Sequence, residues 1–294
     1  MTLVLRKLTP SLSVVLYEAV VRAALAEDFG LGGDVTSEAT IAMHTPARAA
    51  LVARRPGVLA GLDAALFAFR LLDPDAAIEV FVRDGAVLEA GTRIATIAGD
   101  ARALLGAERT ALNLLSHLSG IATATARYVA AAGGRCAISE TRKTLPGLRA
   151  LQKYAVRAGG GSNHRLRLDD AILIKDNHVA LAGGIAAALE GARTRAGHLV
   201  KIEIEVDTPA QLEEVLAHIE GVDAILLDNF SLAETCEAVR RVAGRAVIEA
   251  SGGIALENVA ALAQTGVDVI SSGALTHSVT ALDIGLDIET AAGL

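Results

Sequence analysis

Apolar residues recur at helical intervals over residues 11–26, SLSVVLYEAVVRAALA, and stop at the polar stretch EDFGLGGDVTS. This predicts an N-terminal helix. The pattern then shortens to strand-like runs, ARAALVARRPGVLAG (47–61) and IEVFVRDGAVLEAGTRIATI (78–97), with tight turns at Asp84-Gly85 and Ala90-Gly91. The second half has another rhythm. VKIEIEV (200–206), AILLDN (224–229), AVIEASGG (246–253) and VDVISSGA (267–274) read as strands recurring roughly every 22 residues. AILIKDN (171–177) and CAIS (136–139) extend the series upstream. Helices fit between them: Thr208-Pro209 with Gln211, and Ser231 with Glu234, are N-terminal caps, and Gly266 suits a C-cap. Strands alternating with helices predict a parallel sheet, and six of them favour a closed α/β barrel over an open doubly wound sheet.

Composition narrows the class. The 294 residues are 52% hydrophobic and 21% charged, enough for a substantial core and against disorder. Aromatics are only 3% and Trp is absent, which suits sheets covered by helices. A net charge of −7 argues against a nucleic-acid binder. Cys136 and Cys236 form neither a disulfide framework nor a zinc pattern and read as ordinary thiols. MTLVLRKLTP lacks the apolar stretch of a leader, and no run is long enough to span a membrane, so a soluble cytoplasmic protein is expected. The first-half strands with their Asp-Gly turn also suit a lipoyl or biotinyl carrier, but no Lys occurs between Lys7 and Lys143 to carry the group.

The charge distribution is uneven. From Arg135 to Lys175 there are nine Lys/Arg and three Asp/Glu, inside an acidic chain. Arg149, Lys153 and Arg157, four apart, read as a solvated helix face. The others fall where a barrel gathers its chemistry, at the carboxyl ends of strands. Those ends carry Glu140-Thr141-Arg142-Lys143, Lys175-Asp176, Glu205, Asp228, Ser251-Gly252-Gly253 and Ser272-Gly273, while His164-Arg165 follow the loop GGGSN. Several converging cations imply a ligand with several negative charges. Gly-rich ends on the last two strands suit a phosphate. Glu203 and Glu205 share a strand face with Lys201, and Glu205 with Asp228 suits ribose hydroxyls or a Mg²⁺ bridging phosphates.

AERTALNLLSHLSGIAT, TRKTLPGLR…KYAVRAGGGSNHRL, AILIKDNH, LLDN, EASGGI and GALTHS together resemble the quinolinate phosphoribosyltransferase family, from about residue 27 to 288. The resemblance implies a type II phosphoribosyltransferase fold: an N-terminal α/β sandwich (1–117 plus 276–294) packed on a C-terminal α/β barrel (118–275). It implies conversion of quinolinate and phosphoribosyl pyrophosphate to nicotinate mononucleotide, pyrophosphate and CO₂, with Mg²⁺, in NAD biosynthesis. Arg109, Arg142, His164, Arg165 and Lys175 would hold quinolinate. Lys143, Glu205 and Asp228 would serve the phosphoribosyl moiety and its metal, and Thr141 would also bind substrate. Ser251, Gly252, Gly253, Gly273 and Ala274 would take the 5′-phosphate. By the same resemblance the enzyme is a homodimer or higher oligomer in which Arg109 completes the neighbour's site. Glu140 departs from the family's usual Asp. Two alternatives are a molybdenum-transport-associated paralogue of this fold and a Schiff-base lyase using Lys175.

Overall fold

The computed structural model describes residues 12–289. The N-terminal decapeptide read for a leader, and the last five residues of the expected 276–294 segment, lie outside the described residues. The chain begins with α1 (Val14–Phe29), α2 (Val35–Thr40), β1 (Pro46–Ala53), β2 (Gly57–Val58), α3 (Leu62–Leu72), β3 (Ala77–Val80), β4 (Val87–Leu88) and β5 (Arg93–Asp100). There follow α4 (Ala101–Ala132), β6 (Ala137–Ser139), α5 (Arg149–Ala158), β7 (Ile172–Ile174), α6 (Asp176–Ala182) and α7 (Ile185–Arg195). The last third alternates regularly: β8 (Ile202–Val206), α8 (Pro209–Ala217), β9 (Ala224–Asp228), α9 (Leu232–Val242), β10 (Val247–Ser251), α10 (Leu256–Ala263), β11 (Val269–Ser271), α11 (Ala274–His277) and β12 (Ile284–Glu289).

These elements form two units. Among the described residues, the first takes the chain up to Ala126, Leu145–Gly160, and everything from Ser278 onward; the second takes Arg127–Thr144 and Gly161–His277. This differs from the boundary read from sequence, which gave all of 118–275 to the barrel. The reason is α5, whose Leu151, Tyr154, Ala155 and Val156 are buried in the same apolar cluster as Phe69, Leu104 and Leu115. The helix is no solvated face either: Arg149 is half-buried, Lys153 is buried, and of the three cations only Arg157 is exposed.

The first unit is built on a four-stranded antiparallel sheet in the order β12-β1-β5-β3, with β2 and β4 paired separately. α1 runs three residues past the expected stop, through Glu27, Asp28 and Phe29, because its buried stripe of Tyr17, Val21 and Leu25 keeps helical spacing. Tyr17 meets Phe67 of α3 edge to face at 5.4 Å. Gly85 and Gly91 both take φ 86°, as tight turns there require.

The second unit holds a six-stranded sheet in the order β6-β11-β10-β9-β8-β7, with every neighbouring pair parallel. The first strand beside the last, with the others in sequence, is the cyclic order of a barrel. The hydrogen-bonded ladder does not close, however. The Ser162 N–H donates to the Ile138 carbonyl at 2.8 Å, so the loop preceding β7 occupies the edge of β6 that β7 would need. The capping boxes at Thr208/Gln211 and Ser231/Glu234 both form. Gly266 takes φ 93° but lies two residues beyond Gln264, the C-cap of α10.

Candidate active site

In a parallel sheet of this kind, side chains two apart on one strand share a face, and register aligns them with their neighbours. Leu173 lies opposite Glu203, Leu226 opposite both Glu205 and Glu249, and Asp228 opposite Ser251. A cavity of about 350 Å³ opens beside this face. Its walls bring together nine of the expected residues: Thr141, Arg142, Lys143, His164, Arg165, Lys175, Glu205, Asp228 and Ser251. Leu173, Leu226, Glu249 and Ser271 complete the lining and were not expected. Glu249 carried a signal in the sequence: an acid inside an apolar strand, two residues before Ser251.

The cationic side of the cavity is under-satisfied. The Nε atoms of Arg142 and Arg165 are buried without a hydrogen-bond acceptor, although Arg165 Nη1 donates to the Ala171 carbonyl at 3.3 Å. Burial, and then the like charge of Arg142, lower the pKa of Arg165. Two guanidinium groups held this way suit an anion with more than one carboxylate. Lys175 differs, since its amine is committed to an ion pair with Glu205.

His164 was expected among the cations, but its bonding assigns it otherwise. Nδ1 accepts the Arg165 N–H at 2.8 Å, which leaves the proton on Nε2. Nε2 faces Glu203 at 3.1 Å and Glu249 at 3.6 Å. The ring therefore presents Nε2 as a donor to two acids. Its loop is anchored by the fully buried Glu140, which accepts from Asn163 Nδ2 at 3.0 Å and from the His164 N–H at 3.2 Å. Glu140 thus holds the loop bearing His164 and Arg165.

On the acidic side, carboxylate oxygens of Glu205, Asp207 and Asp228 all lie within 4.8 Å of one another. Desolvation, and then the charge of Asp228, raise the pKa of Asp207. Crowded hard oxygen donors fit a Mg²⁺ ion, and Asp207 joins the two residues expected for it. The Gly-rich turns follow β10 and β11. Gly252 takes φ 81°, and a Cβ there would sit 2.3 Å from Asn229 Oδ1, so only glycine permits the approach of the β9 and β10 ends. Gly253 takes φ 58° with open space before it. A Cβ on Gly273 would lie 2.9 Å from Lys143 Cδ, and the Thr276 hydroxyl donates to the Lys143 carbonyl at 2.7 Å. Ala274 begins α11 beside them. Arg109 belongs to the first unit, on α4, with a side chain 64% exposed and Glu108 at 4.0 Å. The Cys136 thiol is pushed up to about 11 by burial and Asp268, away from thiolate chemistry.

Residues 34–119 match the quinolinate phosphoribosyl transferase N-terminal domain, and residues 121–287 match the C-terminal domain of the same enzyme. The chain belongs to the quinolinate phosphoribosyltransferase family. It is 50% identical over 277 residues to the nicotinate-nucleotide pyrophosphorylase [carboxylating] of Mycobacterium leprae, covering 91% of this chain and 95% of that one. It is 40% identical over 289 residues to quinolinate phosphoribosyltransferase [decarboxylating] 2a of Nicotiana tabacum, covering 93% and 82%. Among solved structures, NadC from Streptococcus pyogenes superposes with a TM-score of 0.90 at 41% identity, covering 96% of this chain and all of that one. The family's two-domain α/β fold is the one described above.

Proposed function

We infer that this chain is a quinolinate phosphoribosyltransferase. It transfers phosphoribosyl from phosphoribosyl pyrophosphate to quinolinate and releases CO₂, forming nicotinate mononucleotide for NAD biosynthesis. The observation that carries the reading is the polarity of the cavity: two guanidinium groups with buried, unsatisfied Nε atoms on one side and clustered carboxylates on the other. A pyridine dicarboxylate suits the first and a ribosyl cation the second. In this reading Arg142 and Arg165 clamp the acid, while Lys175 and His164 line the pocket beside it, their polar ends held by Glu205 and Glu203. As pyrophosphate leaves C1, positive charge grows on the sugar, and Glu205 and Asp228 stabilise it electrostatically. The pyridine nitrogen then bonds to C1. Thr141 and Lys143 hold phosphate oxygens, and Ser251, Gly252, Gly253, Gly273 and Ala274 receive the 5′-phosphate.

Glu205, Asp207 and Asp228 would hold Mg²⁺, whose contribution is to neutralise charge on the departing pyrophosphate. The proposal includes a cytoplasmic homodimer. Phosphorylated, water-soluble substrates support that location, and among the described residues no helix is long and apolar enough to cross a membrane. In the dimer the exposed Arg109 reaches the partner's cavity. The assay that tests the activity is release of CO₂ and pyrophosphate that requires both quinolinate and phosphoribosyl pyrophosphate. Arg109 is tested by mixing inactive Arg109→Ala and Lys143→Ala chains under subunit exchange. One working site should return per mixed dimer; exchange without activity rejects a role across the interface.

A further inference from the structure

Glu249 has no part in the steps above, although it lines the cavity and is 5% exposed. Every element around it can be named. Glu203 faces it from β8, Ser271 from β11, Glu140 from the end of β6, and His164 Nε2 from the loop at 3.6 Å, while β9 contributes the apolar Leu226. Arg165 lies close enough to Glu203 to feel its charge. The one Nε2–H is nearer Glu203, at 3.1 Å, and cannot satisfy two carboxylates at once. Two adjacent buried acids sharing one donor do not both ionise readily. Glu249 is the more deeply buried of the two and lies farther from the donor, so it is the member that keeps the proton; burial, and then the charge of Glu203, raise its pKa.

The proposed reaction needs such a proton. When the bond from ring C2 to its carboxylate breaks, CO₂ leaves and the electron pair stays on C2, where a C–H bond must form. Arg142 and Arg165 cannot supply it, because a guanidinium does not give up its proton, and the Lys175 amine is tied to Glu205. We propose that Glu249 is the acid that protonates C2 as CO₂ departs, with Glu203 and His164 as its positioning residues. The Glu249 proton moves to C2, the carboxyl becomes a carboxylate, and it regains a proton from water after the product leaves. This rests on the function inferred above.

The test separates the two halves of the reaction. Enzyme in excess is mixed with carboxyl-labelled quinolinate and phosphoribosyl pyrophosphate, and pyrophosphate and CO₂ are followed separately in one turnover. In Glu249→Gln, pyrophosphate release should stay within a few-fold of the wild type while CO₂ release falls about 100-fold, the usual worth of a general acid. A nucleotide retaining both carboxylates should accumulate. The wild type gives a second arm that does not depend on the variant folding: raising the pH should slow CO₂ release before pyrophosphate release. A constant ratio of the two products across pH, or unchanged CO₂ release in Glu249→Gln, overturns the proposal. If the wild type forms neither product from these substrates, the functional reading itself falls, and this proposal with it.

Discussion

Asp84 in the first unit and Glu249 in the second are both carboxyls shut away from water, and burial is the first cause raising the pKa of each. Their surroundings are opposite. Asp84 Oδ2 accepts the Tyr154 hydroxyl at 2.5 Å and the Gly61 N–H at 2.8 Å, and Oδ1 accepts the Leu62 N–H at 3.1 Å. It caps the start of α3 and fastens α5 to it with one side chain. Glu249 has a second carboxylate as its neighbour and a shared donor. Where a buried acid only holds structure, the fold surrounds it with donors. Where the charge is left unsettled, chemistry is the better explanation.

The largest expected effect probes the unsettled side. If the unsatisfied Nε atoms of Arg142 and Arg165 await a second carboxylate, kcat/KM for nicotinate should be about 10⁴-fold below that for quinolinate, because a site built to bond a group rejects the analogue lacking it. Comparable rates would place those guanidinium groups with other partners. Next, Glu205→Gln or Asp228→Asn should lower kcat by about 10² to 10³-fold, as loss of one transition-state contact does, while quinolinate affinity changes little. Normal kcat with weakened quinolinate binding would move both residues to the ground state.

The settled side should respond in stability. Tyr154→Phe removes one of the donors to Asp84 and should cost about 1–3 kcal/mol, read as a lower denaturation midpoint. No change would mean that water replaces the hydroxyl. The smallest effect is a slope. Because the folded pKa of Glu249 is raised, the native state holds a proton that the unfolded chain releases, so stability falls as pH rises from the ordinary glutamate value through the raised one. Glu249→Gln should flatten the decline of Tm with pH over that window. Asp84, also raised, should leave a residual slope.

Much of the second unit was legible because its repeat is local. Strand, cap and helix lie within one stretch of about 22 residues, and Ser231 finds Glu234 three residues away whatever else the fold does. The cavity was readable for the same reason, since strand ends gather at one face. What stayed hidden depends on distant partners. Lys153 carries the spacing of a solvated helix, yet α5 is drawn into a core built by residues from the first part of the chain. His164 looks like a cation until its Nδ1 is seen to accept from the next residue. The open seam between β6 and β7 depends on Ser162 taking a backbone acceptor, which no side-chain pattern records.

β12 has a consequence for how this molecule is made. It forms the outer strand beside β1, pairing Arg48 with Glu289 through to Ala53 with Ile284, with Arg48 Nε 2.9 Å from Glu289 Oε2. β1 leaves the ribosome early and finds β5 within some fifty residues, but its other edge stays bare while the whole second unit is synthesised. The first unit to be started is therefore the last to be finished. In that interval the growing chain carries an open edge able to pair with the same edge of another nascent chain. A chain ending at His277 would keep every cavity-lining side chain and still carry that bare edge permanently.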